Sequence, residues 1–159
     1  MCEGQPVHLP RRQPGPLLTP TLRAKVALFR ERAASAQGLE LTCGGASMEP
    51  AITRGTRMTV RPGKPRMGVV AAFVTDGGEL ELHRLVAAGP GGWWAHLGDN
   101  QVDPTPGLVH VNRIVGIAEA AVRRPRAVDQ ARAMLRFGAA AVRVASRRRR
   151  ERTTGSTRR

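Results

Sequence analysis

From Leu39 onward, glycine and proline cut the chain into short runs, and no helical stretch separates one run from the next over the following 80 residues or so. This punctuation constrains the fold more than any other feature. Strands need only four to eight residues between breaks, whereas helices need ten or more. The run "LELTC" alternates polar and apolar residues. "RMTVRP" also alternates and stops at a proline. "GVVAAFVT" is continuously apolar and ends at "DGG", a turn signal, and the "TDGGE" junction predicts a hairpin into "ELELHRLVAA". "GGWWAHLGDN" and "HVNRIVGIAEA" complete five or six short strands. Such a series implies a mainly β domain over residues 39–120, an all-β sheet or small barrel. Aromatic residues are only 3% of the chain, so its core must come from Val, Leu, Ile, Ala and Met.

Helices are expected on both flanks. "TLRAKVALFRERAASAQ", Thr21 to Gln37, carries Leu22, Val26, Phe29 and Ala33 at spacings of three and four, and Gly38 is its expected stop. Residues 1–20 are rich in Pro and Arg and read as a disordered leader. Residues 121–146 read as a basic helix beginning beyond Pro125, with Met134, Leu135, Phe137 and Val142 as its bulky apolar set. Residues 147–159 read as a disordered basic tail.

The formal net charge is +14, and it is segregated. Leu41 to Ala120 holds 7 basic and 7 acidic residues, whereas Ala121 to Arg159 holds 13 basic and 2 acidic. A basic protein invites a nucleic-acid reading, but the neutral centre offers no basic platform for one. An anionic membrane surface is the other candidate partner, reached through the basic C-terminal helix and tail. Cys2 and Cys43 are the only cysteines, and no Cys/His spacing suits a metal. No apolar run approaches the ~18 residues of a membrane span. The first 20 residues hold five prolines rather than the apolar core of a signal peptide. The expectation is a cytoplasmic protein, peripheral at the inner membrane face if the basic helix docks there, without metal or cofactor.

Three places carry residues suited to acyl-transfer chemistry. In "GGASMEPAITRG", Gly44, Gly45 and Ala46 leave the backbone around Ser47 open, so amides there can approach a carbonyl. A turn leading into a strand explains the same residues. His83, in "ELELHRLVA", shares a strand face with Glu79, Glu81 and Leu85, while Leu80, Leu82 and Arg84 take the other. An imidazole is the natural base for a serine, although a lone strand histidine is also an ordinary structural residue. Asp99 and Asp103 lie in the loop "HLGDNQVDPTPG", where Asx turns are the plain alternative. His8, His96 and His110 read as structural or surface residues. Adjacent Trp93 and Trp94 face opposite sides of their strand, one toward the core and the other toward a cleft or the surface.

In their order, these segments resemble the peptidase superfamily of type I signal peptidases and LexA-type self-cleaving repressors. The matching boxes are "GASMEP", "ITRGTRMTVRP", "GVVAAF", "LHRLV", "LGDNQVD" and "RIVGIA". They cover about Leu39 to Ala118, roughly half the chain. The resemblance implies a signal-peptidase-like β domain, barrel-like in form, with Ser47 as nucleophile. Bacterial members use a lysine base, whereas the matching position here is His83. This looks like the Ser–His branch of the archaeal and endoplasmic-reticulum signal peptidases. On that likeness Asp103 orients His83, Asp99 holds its loop, and the Ser47 backbone N–H contributes to the oxyanion hole with support from Gly45 and Ala46. Met48 and Pro50 would border the substrate cleft. Some members carry a hydroxyl two residues before the nucleophile, where this chain has Gly45. The implied function is that of a serine endopeptidase acting on a peptide or protein precursor. The lack of an evident anchor favours a soluble maturation protease over a peripheral signal peptidase. A degenerate, non-catalytic binding module is the reading from another class.

Overall fold

The computed structural model describes residues 18–100, 105–120 and 126–132, together with 134, 135, 138 and 139. Seven antiparallel strands form one sheet in the order β1-β2-β7-β3-β4-β5-β6. They are β1 (Leu39–Thr42), β2 (Arg57–Arg61), β3 (Val70–Val74), β4 (Leu80–Ala88), β5 (Trp93–Leu97), β6 (Gly107–His110) and β7 (Ile114–Ala118). The domain is therefore mainly β, as its punctuation requires.

The central strand is β3, every residue of which is buried. Its two sides feed two apolar clusters. Val70, Ala72 and Val74 join Met48, Ile52, Met58, Val60 and Val115 on one side. Ala71 and Phe73 join Val69, Leu85, Val109 and Ile114 on the other. The hairpin expected at "TDGGE" joins β3 to β4, with Val74 opposite Leu80 and Gly78 at φ +82° in the turn.

Helix α1 (Pro20–Ala34) covers the first cluster. Val26 and Ala33 are buried there, and Leu22 and Phe29 pack against it, so the predicted stripe is the buried one. Thr19 caps the helix by accepting from the Leu22 N–H. Arg30 donates to the carbonyls of Val111, Asn112 and Ile114, tying α1 to the β6–β7 link.

Two sequence expectations need correcting. The helix stops at Ala34 rather than running to Gln37. Ser35 is extended, and both its N–H and its hydroxyl bond the Arg32 carbonyl, so the side chain competes with the next helical turn. Gly38, at φ +77°, turns the chain into β1 three residues later. The last strand, expected from His110, begins only at Ile114; His110 instead ends an unexpected strand, β6, and a 3-10 turn over Val111–Arg113 separates the two. His110 makes that break by accepting from the Asn112 N–H. Residues 127–132, 134, 135, 138 and 139 are helical, within the expected basic helix. The leader (to residue 17), the tail and Cys2 lie outside the described residues; Cys43 is buried with a free thiol.

Candidate active site

Strand alternation divides β4 between the two sides of the sheet. Leu80 and Leu82 pack against the first cluster, whereas Leu85 lies in the second. His83 shares the Leu85 side, opposite Ala71 of β3, and Arg84 takes the Leu82 side.

Arg84 is 3% exposed. Its Nε and Nη2 donate to the two oxygens of Asp99 at 2.8 and 2.7 Å, and its Nη1 donates to the Gly68 carbonyl at 2.6 Å. Asp99 is thus clamped by a two-pronged, charge-assisted contact. It begins the turn beyond β5, and its neighbours on each side hold the serine segment. A Cβ on Gly98 would fall 2.4 Å from the Ser47 carbonyl oxygen, so only glycine permits this approach of the two backbones. Asn100 donates its N–H to Ser47 O at 3.0 Å and its side-chain amide to Ala46 O at 3.2 Å.

The serine turn closes on itself through Glu49 N–H to Ala46 O and Ile52 N–H to Met48 O. Met48, expected to pack near the floor of the cleft, is 1% exposed and anchors the turn in the first cluster. Gly45, Ala46, Ser47 and Pro50 are exposed, and the Glu49–Pro50 peptide is cis. Among the described residues, nothing accepts a hydrogen bond from the Ser47 or Met48 backbone N–H. The amide of the exposed Ser47 therefore has no acceptor among the described residues, whereas that of Met48 is buried with its residue.

His83 is buried, with 7% exposure. Its Nδ1 lies 3.0 Å from Nδ1 of His96, and its Nε2 lies 3.7 Å from Glu81 Oε1. Burial lowers its pKa, opposed by the carboxylates of Glu81 and Asp99. Burial and then His83 push His96 down to about 3. Both rings are therefore neutral at pH 7, which is the form a general base needs. Among the described residues no hydrogen bond joins Ser47 to His83. His83 lies on the Leu85 side of β4, whereas the Arg84–Asp99 clamp that holds the serine turn lies on the Leu82 side, so no direct contact joins the serine to the imidazole. Asp103, the expected orienting carboxylate, lies outside the described residues.

The structure therefore gathers Ser47, Gly98, Asp99, Asn100 and Arg84 into one bonded unit, with His83 the residue before Arg84. The contact of His83 with His96, which the sequence reading took as structural or surface, was not expected. Its only signal was a second strand histidine two residues before the Gly-Asp-Asn turn. His110 is structural, bonding Gly91 O at 2.9 Å and edge-on to Trp93. Trp93 and Trp94 are both half-buried, and Trp94 packs on the second cluster.

Among the described residues no group of three or more His, Cys, Asp or Glu is arranged to hold a metal ion. Nor is any described helix long and apolar enough to cross a membrane. No protein-family model matches this chain, and no curated protein matches it.

Proposed function

We propose that the chain is a serine endopeptidase resembling the signal peptidases, with Ser47 as nucleophile and His83 as general base. The observation that carries this reading is the bonding of three separated segments, "GASMEP", "LHR" and "GDN", into one unit through Arg84, Asp99, Gly98 and Asn100. The unbonded backbone amide of the exposed Ser47, and a neutral imidazole next to Arg84, supply the rest of the chemistry.

In this mechanism His83 takes the proton of Ser47 Oγ as that oxygen bonds to the scissile carbonyl carbon. The resulting oxyanion accepts from the Ser47 N–H. His83 then returns its proton to the leaving amine, the C–N bond breaks, and an acyl-enzyme remains. Water, deprotonated by the same imidazole, releases the acid. The substrate is a peptide or protein precursor, laid down as an extended strand. The barrel-like form of the signal-peptidase fold belongs to the same proposal.

A fluorophosphonate probe tests this reading without a known substrate. The wild type should be labelled at Ser47, S47A should not be, and H83A should lose roughly 10³-fold or more in rate. Unchanged labelling in S47A, or none in the wild type, sinks the proposal.

A second reading, the same enzyme held peripherally at an anionic membrane, has one observation in its favour. Val128, Met134 and Leu135 of the basic helical segment are exposed, as is Met67, whose sulfur accepts from Gln130. Apolar side chains beside an arginine-rich stretch suit a headgroup boundary. Co-sedimentation with anionic vesicles should require residues 123–159; equal pelleting without them removes this reading.

A further inference from the structure

In a Ser-His-Asp arrangement a carboxylate accepts the Nδ1–H of the base, fixing its tautomer and plane. Here the atom at that nitrogen belongs to another imidazole. We propose that His96 is the positioning residue for His83, accepting its Nδ1–H and so leaving Nε2 bare to take the serine proton. This rests on the reading of His83 as general base.

Four features build the pair. The contact is Nδ1 to Nδ1 at 3.0 Å, a normal hydrogen-bond length. The rings stack with centroids 5.2 Å apart and planes 30° apart. Phe73 lies against both, 4.5 Å from His96 and 6.2 Å from His83. Gly107 of β6 supplies the floor, since a Cβ there would fall 2.3 Å from His96 Cε1 and 2.4 Å from its Nε2. The ladder explains why they meet. His96 stands opposite Leu85, and His83 lies two residues before Leu85 on the same side of the sheet.

Two neutral imidazoles can share an Nδ1···Nδ1 bond in only two ways. If His96 donates, His83 carries its proton on Nε2 and cannot act as a base through that atom. If His83 donates, its Nε2 is free. The base role of His83 requires the second, against the pull of Glu81 Oε1, 3.7 Å from Nε2, for a proton on that atom. Once His83 has taken the serine proton both its nitrogens carry hydrogen, and only an accepting His96 Nδ1 satisfies the inner one. Glu81, on the Nε2 side, and Asp99 are the charged groups that then stabilise the imidazolium. A neutral acceptor holds that cation less firmly than a carboxylate does, so His83 keeps a lower pKa than a carboxylate-held base would.

The test uses full-length protein with ¹⁵N-labelled histidine. Long-range ¹⁵N–¹H spectra at pH 7.5 report which nitrogen of His83 is protonated, whether or not the protein is active. The wild type should show Nδ1–H, H96F should shift His83 toward Nε2–H, and H96Q, whose amide oxygen still accepts, should keep Nδ1–H. Fluorophosphonate labelling should fall roughly 10- to 100-fold in H96F and recover in H96Q. G107A, which displaces the His96 ring without altering it, should follow H96F. Thermal melts establish that each variant is folded. Nε2–H on wild-type His83, or a tautomer unchanged in H96F, overturns the assignment. The predicted tautomers without any labelling of Ser47 would instead overturn the peptidase reading.

Discussion

The clamp between Arg84 and Asp99 should be the most costly polar contact in the domain to break. Asp99→Ala removes two carboxylate bonds, at 2.8 and 2.7 Å, from a guanidinium that is 3% exposed and retains its bond to Gly68 O. Deleting one partner of a buried ion pair costs about 3–5 kcal/mol, because the remaining charge stays in a poorly solvated site. A domain with about 5–15 kcal/mol of stability loses a large share of it. At a urea slope near 1.5 kcal/mol per M, the unfolding midpoint should drop by roughly 2 M or more. Trp93 and Trp94 provide the fluorescence signal. The double variant Arg84→Met, Asp99→Leu should be more stable than Asp99→Ala alone, since matched apolar replacement of a buried pair is often neutral. A loss below about 1 kcal/mol in Asp99→Ala, or strict additivity of the two positions, would refute the claim that this pair is a buried, coupled unit. Because Gly98 and Asn100 flank Asp99 and hold the serine turn, labelling of Ser47 should fall further than the unfolded fraction accounts for.

Gly98→Ala should push the Ser47 backbone away, costing about 1–3 kcal/mol as overpacking and most of the labelling rate; a wild-type melt with full labelling would show that the two backbones do not meet. Gly45→Ser meets nothing within 4 Å, so stability should change by no more than about 0.5 kcal/mol while a new hydroxyl becomes available to the oxyanion; labelling should rise up to about 10-fold, and a fall would place the oxyanion elsewhere. Acid should destabilise the fold through the neutral imidazoles of His83 and His96. Unfolded histidine binds its proton near pH 6.5, whereas folded His96 does so only at about 3, so stability is full above pH 6.5 and declines as pH falls. One such group costs about 2 kcal/mol between pH 6.5 and 5, and H96F should lose that part of the slope; identical slopes would count against a neutral, half-buried His96.

Legibility in the sequence followed the range of each interaction. The α1 stripe, the buried β3 run and the β3–β4 hairpin depend on neighbours within a turn or a strand, and local pattern discloses them. The break between β6 and β7 has no glycine or proline to announce it. It depends on the His110 side chain, and Arg30 reaches its carbonyls from 81 to 84 residues away. His96 is invisible for the same reason. Its partner is fixed by the pairing of β4 with β5, which shifts register at a bulge between Leu85 and Ala87, and by the bare floor that Gly107 offers on a third strand.

The pairing of histidine with arginine in "LHRLV" carries a geometric meaning. In a strand, adjacent residues must point to opposite sides. A single dipeptide therefore delivers an imidazole to the Phe73 side and a guanidinium to the Leu82 side, with no loop and no conformational choice. The guanidinium fastens Asp99, and the residues flanking Asp99 fasten Ser47, so the serine turn is positioned from the same strand that carries the imidazole. Any shift of β4 by one residue would exchange the two side chains and release the turn. The clamp thus ties the position of Ser47 to the register of β4, and hence to the place of His83 within the sheet.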